Sequence, residues 1–229
     1  MTLEARDVSL SYGDGDQITY ALRSLSAEFP ERGYFGIMGP SGSGKSSLLY
    51  LLSGLKRPTS GEVLYESRPL SSRTEVERTR LRRRRFGFVF QQPYLLNYLT
   101  ARENVLAAAL PGDRDASAHV DALLEELRVA HLARRYPAHL SGGERQRLIV
   151  ARSMINRPSV IFADEPTAAL DHGNGLAVVE MLARYRDRGA VIVVTHDPAV
   201  LESADRIYHL SDGRLDRIED RARIADLAG

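Results

Sequence analysis

The chain reads as an α/β protein with a helical subdomain, on three observations. The first third is rich in strand and turn signals, the stretch from Thr100 to about Ile155 has little β signal, and strands then return in alternation with helices. Two returning strands, 160–163 and 191–195, are apolar along their whole length. That suits central parallel strands covered on both faces. At 229 residues the chain is one large domain or two small ones, with 43% hydrophobic and 27% charged residues, ordinary for a globular protein.

Each element has its own local reason. Leu25, Ala27 and Phe29 alternate with polar residues, a strand period, and Glu31-Arg32-Gly33 then turns the chain. The apolar run 34–38 stops at Gly39-Pro40. A helix is expected from Ser46, carrying Leu48, Leu49, Leu51 and Leu52 inward and ending at Gly54. Pro58-Thr59-Ser60-Gly61 turns into a strand at 62–65, and 86–90 is again strand-like. The middle fits helices at 101–110, 116–127, 130–136 and 143–155, with breaks at Pro111-Gly112 and Pro137. A helix at about 175–188, closed by Gly189, separates the two apolar strands. A strand at 206–210 precedes a tight turn at Asp212-Gly213.

Composition excludes several classes. The absence of cysteine rules out disulfides, a thiol nucleophile and any Cys-ligated metal. A net charge of +1 argues against wholesale binding to nucleic acid, and no nucleic-acid partner is expected. No apolar run approaches the roughly 18 residues of a membrane span. The N-terminal MTLEARDV lacks a basic-then-apolar signal pattern, so a cytoplasmic location is expected. Only Lys45 and Lys56 among the 31 basic residues are lysines.

Gly39, Pro40, Ser41, Gly42, Ser43, Gly44, Lys45 and Ser46 fit G-x-x-x-x-G-K-[ST], with a strand before and a helix after. Glycines let backbone N–H groups converge on a phosphate, and the helix adds its positive end. Lys45 is expected to reach the β- and γ-phosphates of a nucleotide, and the Ser46 hydroxyl to take a Mg²⁺ site. A lysine in a chain of arginines indicates that a compact point charge is wanted there. The motif alone does not separate kinases, GTPases, helicases and transport ATPases.

The strand 160–163 ends in Asp164 and Glu165, whose side chains point to opposite sides. Asp164 is expected at Mg²⁺ through water, and Glu165 at the attacking water as general base. The strand 191–195 ends in His196, at the same sheet edge if both strands are parallel, where it can touch the γ-phosphate or the water. Asp197-Pro198 reads as a helix start.

Leu140-Ser141-Gly142-Gly143-Glu144 holds an S-x-x-E capping box with two glycines inside it. The glycines are expected to leave the helix N–H groups and the Ser141 hydroxyl bare enough to meet a phosphate. Here the chain resembles the ATP-binding cassette (ABC) ATPases, whose signature is LSGG-Q/E. The resemblance covers nearly the whole of residues 1–229 and implies one cassette. In it, residues 1–92 and 158–229 form an antiparallel β-subdomain plus a P-loop NTPase (RecA-like) core, and residues 93–157 form an inserted helical subdomain carrying the signature. It implies that Gln91 links Mg²⁺ and the γ-phosphate to that subdomain. Asp171, after Ala168-Ala169-Leu170, looks like the family's D-loop acid, and His196 like its switch histidine. Tyr12 stands where the family stacks an aromatic on adenine, and Ser47 continues the nucleotide-binding loop. GFVFQ, Leu95-Leu96, Glu103-Asn104-Val105 and ADEPT are similar to the subgroup of lipoprotein-release, macrolide-export, antimicrobial-peptide-resistance and cell-division ATPases. Asn97, Ala168 and Ser47 depart from that pattern, which often has proline, glycine and threonine there.

The resemblance implies ATP and Mg²⁺ as cofactors and a head-to-tail homodimer in which Ser141, Gly142 and Gly143 of one copy close over ATP held by Lys45 of the other. It implies an integral membrane permease as partner, and hence a place on the inner face of the cell membrane. Mechanical signalling without transport, and a soluble DNA- or ribosome-associated ATPase, are the alternatives. Only about 95 residues separate Lys45 from Ser141, too few for the long coiled coil of DNA-repair relatives. Arg78, Arg80 and Arg82 to Arg85 form either a solvated helix face, an approach to anionic headgroups or acidic loops, or a DNA contact. Pro93-Tyr94-Leu95-Leu96 is either core or the floor of a groove for the permease.

Overall fold

The computed structural model describes residues 3–14 and 17–221. Met1 and Thr2 of the N-terminal reading, and the last eight residues of the 158–229 region, lie outside the described residues. A hairpin of β1 (Leu3–Asp14) and β2 (Gln17–Phe29) opens the chain, followed by β3 (Gly33–Met38) and α1 (Lys45–Leu52). Next come β4 (Ser60–Tyr65), the short β5 (Arg68–Pro69), α2 (Glu75–Arg85) and β6 (Phe86–Val89). The helical stretch holds α3 (Ala101–Leu106), α4 (Ala116–Glu126) and α5 (Gly142–Met154). The remainder alternates β7 (Val160–Asp164), α6 (His172–Arg184), β8 (Ala190–Val194), β9 (Arg206–Ser211) and β10 (Arg214–Asp220).

These strands make two sheets. The smaller is antiparallel, in the order β2-β1-β4-β5; the larger runs β10-β9-β3-β8-β7-β6. In the larger sheet β9, β3, β8, β7 and β6 are all parallel, and β10 folds back antiparallel on β9. Strands β7 and β8 are buried at every position, as the apolar runs 160–163 and 191–194 predict, and the burial extends to Asp164 at the end of β7.

Strand periodicity divides the core. Phe35, Ile37, Val160, Phe162, Ile192 and Val194 face the smaller sheet and α1, with Leu22, Phe29, Leu48 and Leu49. Ile161, Ala163, Val191 and Val193, one residue out of step, face the helices and meet Val105, Leu148, Val178 and Leu182. The central strands β3, β8 and β7 are thus a hydrophobic middle layer whose ends reach polar surroundings, while β10 at the sheet edge is largely exposed.

Several element boundaries differ from the sequence reading. The expected helix 130–136 is a 3₁₀ turn, Ala130–Leu132, followed by a second at Pro137–His139. Pro137 bounds the segment and leaves too few residues before it to propagate an α-helix. The helix expected over 101–110 stops at Leu106. Its start is fixed by Thr100, which accepts from the Glu103 backbone N–H, with the Glu103 carboxylate reaching back. The helix α6 begins three residues before the expected Gly175, because Asp171 accepts from the Asn174 N–H and caps it there.

Phe162 sits at the centre of the middle layer, with Phe86 edge-on at 5.2 Å and Phe88 stacked at 5.8 Å. Phe162→Ala should cost about 3–5 kcal/mol. A urea unfolding curve should show a lower midpoint with an unchanged slope.

Candidate nucleotide site

The larger sheet brings the candidate residues to one edge. Strands β3, β8, β7 and β6 run in the same direction, so the loop 39–46, Thr195-His196, Asp164-Glu165 and Gln91 all follow carboxyl ends on that side. Register sets their relative height: Val194 pairs with Ile37 on one side and Asp164 on the other.

The loop after β3 is bound down at several points. Ser43 N–H donates to the Pro40 carbonyl at 3.2 Å, and Gly213 N–H donates to the Ser43 carbonyl at 3.2 Å, using the Asp212-Gly213 turn. Gly44, at φ 96°, occupies the left-handed region, and a Cβ there would run into the Ala21 carbonyl of β2. A glycine at this position therefore serves both the turn and the contact with the smaller sheet. Lys45 Nζ donates to the carbonyls of Gly39 and Pro40, each at 2.9 Å. The helix starts at Lys45, one residue before expectation.

Asp164 is buried, and both its oxygens are engaged by one face of α1. Ser46 Oγ donates to Oδ1 and the Tyr50 hydroxyl donates to Oδ2, both at 2.9 Å. Ser46 and Tyr50 are four residues apart and so share a helix face. Burial, then the Asp164 carboxylate, pushes the Tyr50 phenol up to about 12. Tyr50 was not anticipated from the sequence. Its spacing from Ser46 was visible there, but its acceptor lies 114 residues away.

Glu165 takes the opposite side. Its Oε1 lies 2.9 Å from His196 Nδ1, which donates when it carries the proton. The glutamate side chain is 19% exposed and the histidine 71%. Glu165 also has φ 47°, a left-handed conformation rare for a residue with Cβ. Its N–H donates to the Val194 carbonyl at 2.9 Å, so the sheet itself enforces the strain.

The remaining candidates lie at the borders. Gln91 is exposed just past β6, and Ser47 is half-buried on α1. Tyr12 is half-exposed on β1, opposite Thr19, and β2 carries Ala21 to the loop. Lys56 Nζ donates to the Tyr12 hydroxyl at 2.6 Å and lies 4.8 Å from its ring centre.

Ser141 caps α5 as its capping box predicts: Glu144 N–H donates to Ser141 Oγ at 3.3 Å, and Ser141 N–H to the Glu144 carboxylate at 2.7 Å. Ser141 and Gly142 are exposed. Gly143 corrects the expectation that both glycines bare the helix end. It is buried, and a Cβ there would stand 2.6 Å from Asn174 Cγ. Asn174 also donates through Nδ2 to Asp171 at 2.7 Å. The second glycine is therefore a packing requirement that seats α5 on α6.

A sequence profile described as ABC transporter matches residues 22–168. The chain belongs to the ABC transporter family. As an ABC cassette it binds and hydrolyses ATP, and its fold is that of a P-loop NTPase. The ABC transporter ATP-binding protein MJ1508 of Methanocaldococcus jannaschii is 42% identical over 217 residues, 93% of this chain and 97% of that one. The macrolide export ATP-binding/permease protein MacB of Neisseria gonorrhoeae is 37% identical over 93% of this chain, which spans 34% of that longer protein. A dimeric structure of the ATP-binding cassette MJ0796, in a post-hydrolysis state bound to ADP and Pi, superposes with a TM-score of 0.86. It shares 36% identity over 95% of this chain and 98% of that one. A hemin import ATP-binding protein, HrtA of Staphylococcus haemolyticus, is 38% identical over 94% of this chain and 100% of that one.

The residues of this edge fit both parts of a magnesium nucleotide. Ser43 Oγ is buried in the loop without a hydrogen-bond partner. Ser46 and Asp164 supply hard oxygen donors suited to Mg²⁺.

The raised Tyr50 phenol has a measurable consequence. The neutral phenol is favoured in the folded chain, so this contribution to stability is complete below about pH 10, the unfolded value, and declines as pH rises toward about 12. Tyr50→Phe should remove one late-ionising phenol from an alkaline absorbance titration and flatten the loss of stability over that window.

Proposed function

We propose that this cassette drives export or extraction of a substrate through a separate membrane permease, as a symmetric head-to-tail homodimer with two equivalent ATP sites. The hydrolytic part of this reading is carried by the division of labour at one sheet edge. One carboxylate, Asp164, is fixed to the phosphate-loop helix, and the next, Glu165, is held in a strained backbone against His196.

In this reading, backbone N–H groups of Gly39 to Ser47 and the Lys45 ammonium bind the phosphates. Ser46 and Gln91 would hold Mg²⁺ directly and Asp164 through water, and the ion would supply positive charge against the phosphate oxygens. Glu165 accepts the proton of the attacking water, and His196 orients Glu165 and faces the γ-phosphate. Tyr12 provides the adenine platform at the edge of the smaller sheet. The exposed N-terminal end of α5, with Ser141 and Gly142, meets the partner copy's γ-phosphate, and Gly143 and Asp171 brace that end through Asn174. The dimeric MJ0796 cassette supports the assembly, and the fused permease of MacB supports a membrane partner. Among the described residues no helix is long and apolar enough to cross a membrane. In this reading the permease supplies the span, and the cassette sits against it on the inner face of the membrane.

The permease is proposed to dock in a cavity of about 360 Å³ lined by Leu55, Phe88, Phe90, Ala107 and Arg152. Arg152 donates to the carbonyls of Tyr94 and Pro93 at 2.8 and 3.1 Å, and so ties the segment after Gln91 to α5. A push on this groove thereby reaches both Gln91 and the helix that carries Ser141.

Glu165→Gln should keep ATP binding and lower turnover by about 10²–10⁴-fold, leaving a dimer that traps ATP. Wild-type turnover in a steady-state phosphate-release assay would remove Glu165 from its role. Ser141→Arg should preserve ATP binding by the monomer, measured by calorimetry, while blocking dimer closure and hydrolysis. Loss of binding by the monomer would place Ser141 in the same-chain pocket instead.

A further inference from the structure

The arginines of α2 are divided between two faces. Arg78 is buried and pairs with Glu75, which also takes Arg82 at 3.2 Å. Arg82 further donates to the Gly54 carbonyl at 3.0 Å. On this face both guanidinium groups share one carboxylate and are held in place.

The other face is different. Arg80, Arg84 and Arg85 are exposed, and none of them has an ion pair or side-chain hydrogen bond among the described residues. With Arg73, Leu81 and Leu110 they line an open cavity of about 450 Å³. Glu77 also borders it; its carboxylate accepts from Thr74 N–H and Oγ1 at 2.7 and 3.0 Å and keeps a negative charge that faces Arg73, so Arg80, Arg84 and Arg85 are the cations left unpaired. The wall opposite α2 is fixed: Asn156 donates to the carbonyls of Arg83 and Ala108 and accepts from Leu110 N–H.

Helix electrostatics explain only part of this cluster. Cations in the last turn complement the negative end of α2. Arg80 lies mid-helix, however, and Arg73 precedes the first turn, where the dipole opposes a cation. Arg73 Nε is moreover buried without an acceptor. Residues 73–85 hold seven arginines and two glutamates, a local charge of +5 in a chain whose total is +1. The cluster concentrates positive charge that the rest of the molecule offsets.

We infer that this cavity is a contact for anionic phospholipid headgroups, with Arg73, Arg80, Arg84 and Arg85 meeting phosphate and Leu81 and Leu110 beneath it. Guanidinium groups bind phosphate through paired N–H donors. A shallow row of cations beside an isolated apolar side chain, here Val76 at 69% exposure, suits a lipid surface better than a closed ligand pocket. The choice of a membrane over a soluble polyanion rests on the proposed permease groove, because Arg82 and Arg83 on the other side of α2 line that groove. The contact would hold the cassette at the headgroup layer beside its partner.

The test uses the purified chain alone, without permease, so its failure leaves the ATPase and docking assignments untouched. Co-sedimentation with phosphatidylglycerol-containing vesicles should succeed, and with pure phosphatidylcholine vesicles should fail. The triple change R80Q/R84Q/R85Q should weaken binding by about a hundredfold, from about fivefold per arginine. It should leave basal ATP turnover and the thermal melt unchanged. The control R114Q/R128Q/R134Q, which removes equal charge from exposed sites elsewhere, should bind normally, and raised salt should release the wild type. The proposal is overturned by absence of binding to anionic vesicles, by equal weakening in the control triple, or by calorimetric binding of inorganic polyphosphate at these arginines with none of vesicles.

Discussion

The candidate chemistry depends on strand register in the larger sheet. Val194 is bonded between Ile37 and Asp164, so the phosphate loop, the acidic pair and the histidine emerge at matching heights. A slip of one residue would reverse every side chain in β7 and β8. Such a slip is opposed on both faces at once, because Phe162 and Ile192 fill one core while Ile161 and Val193 fill the other. Hydrophobic packing far from the site thus sets the position of groups that are themselves polar.

Within that frame, adjacent carboxylates acquire different surroundings. Asp164 ends β7 and is enclosed by hydroxyls from α1, whereas Glu165 begins the turn and is held in a left-handed conformation by a bond to β8. The cost of the strained residue is met by the buried strands on either side. The two acids are neighbours in sequence but belong to different parts of the molecule: one is tied to the phosphate loop, the other to the strand that carries His196.

Much of this was legible in the sequence because the signals were local. The phosphate loop stands between a strand and a helix, the two apolar strands are buried throughout, and the Ser141–Glu144 box caps α5 as its spacing requires. What was not legible depends on contacts between distant segments. Tyr50 gains meaning only when α1 lies against β7, and Gly143 is explained by Asn174 of a helix that follows it by about thirty residues. The segment 130–136 looked helical by composition, but Pro137 and the packing around Leu132 leave it a single tight turn. Likewise the arginine run reads as one feature in sequence. Only the position of Glu75 divides it into a paired face and a free one.

The scarcity of lysine has a chemical consequence of its own. Lys56 rests on Tyr12 and Lys45 on its own loop, at two borders of the same candidate site, and the other 29 basic residues are arginines. Every side-chain amine of this protein therefore reports on that one region. An acylating reagent directed at amines becomes, without any engineering, a regional footprint once its products are mapped by residue: protection of Lys45 tracks the phosphate side and protection of Lys56 the Tyr12 side, with the α-amine as the one other target and guanidinium groups left untouched.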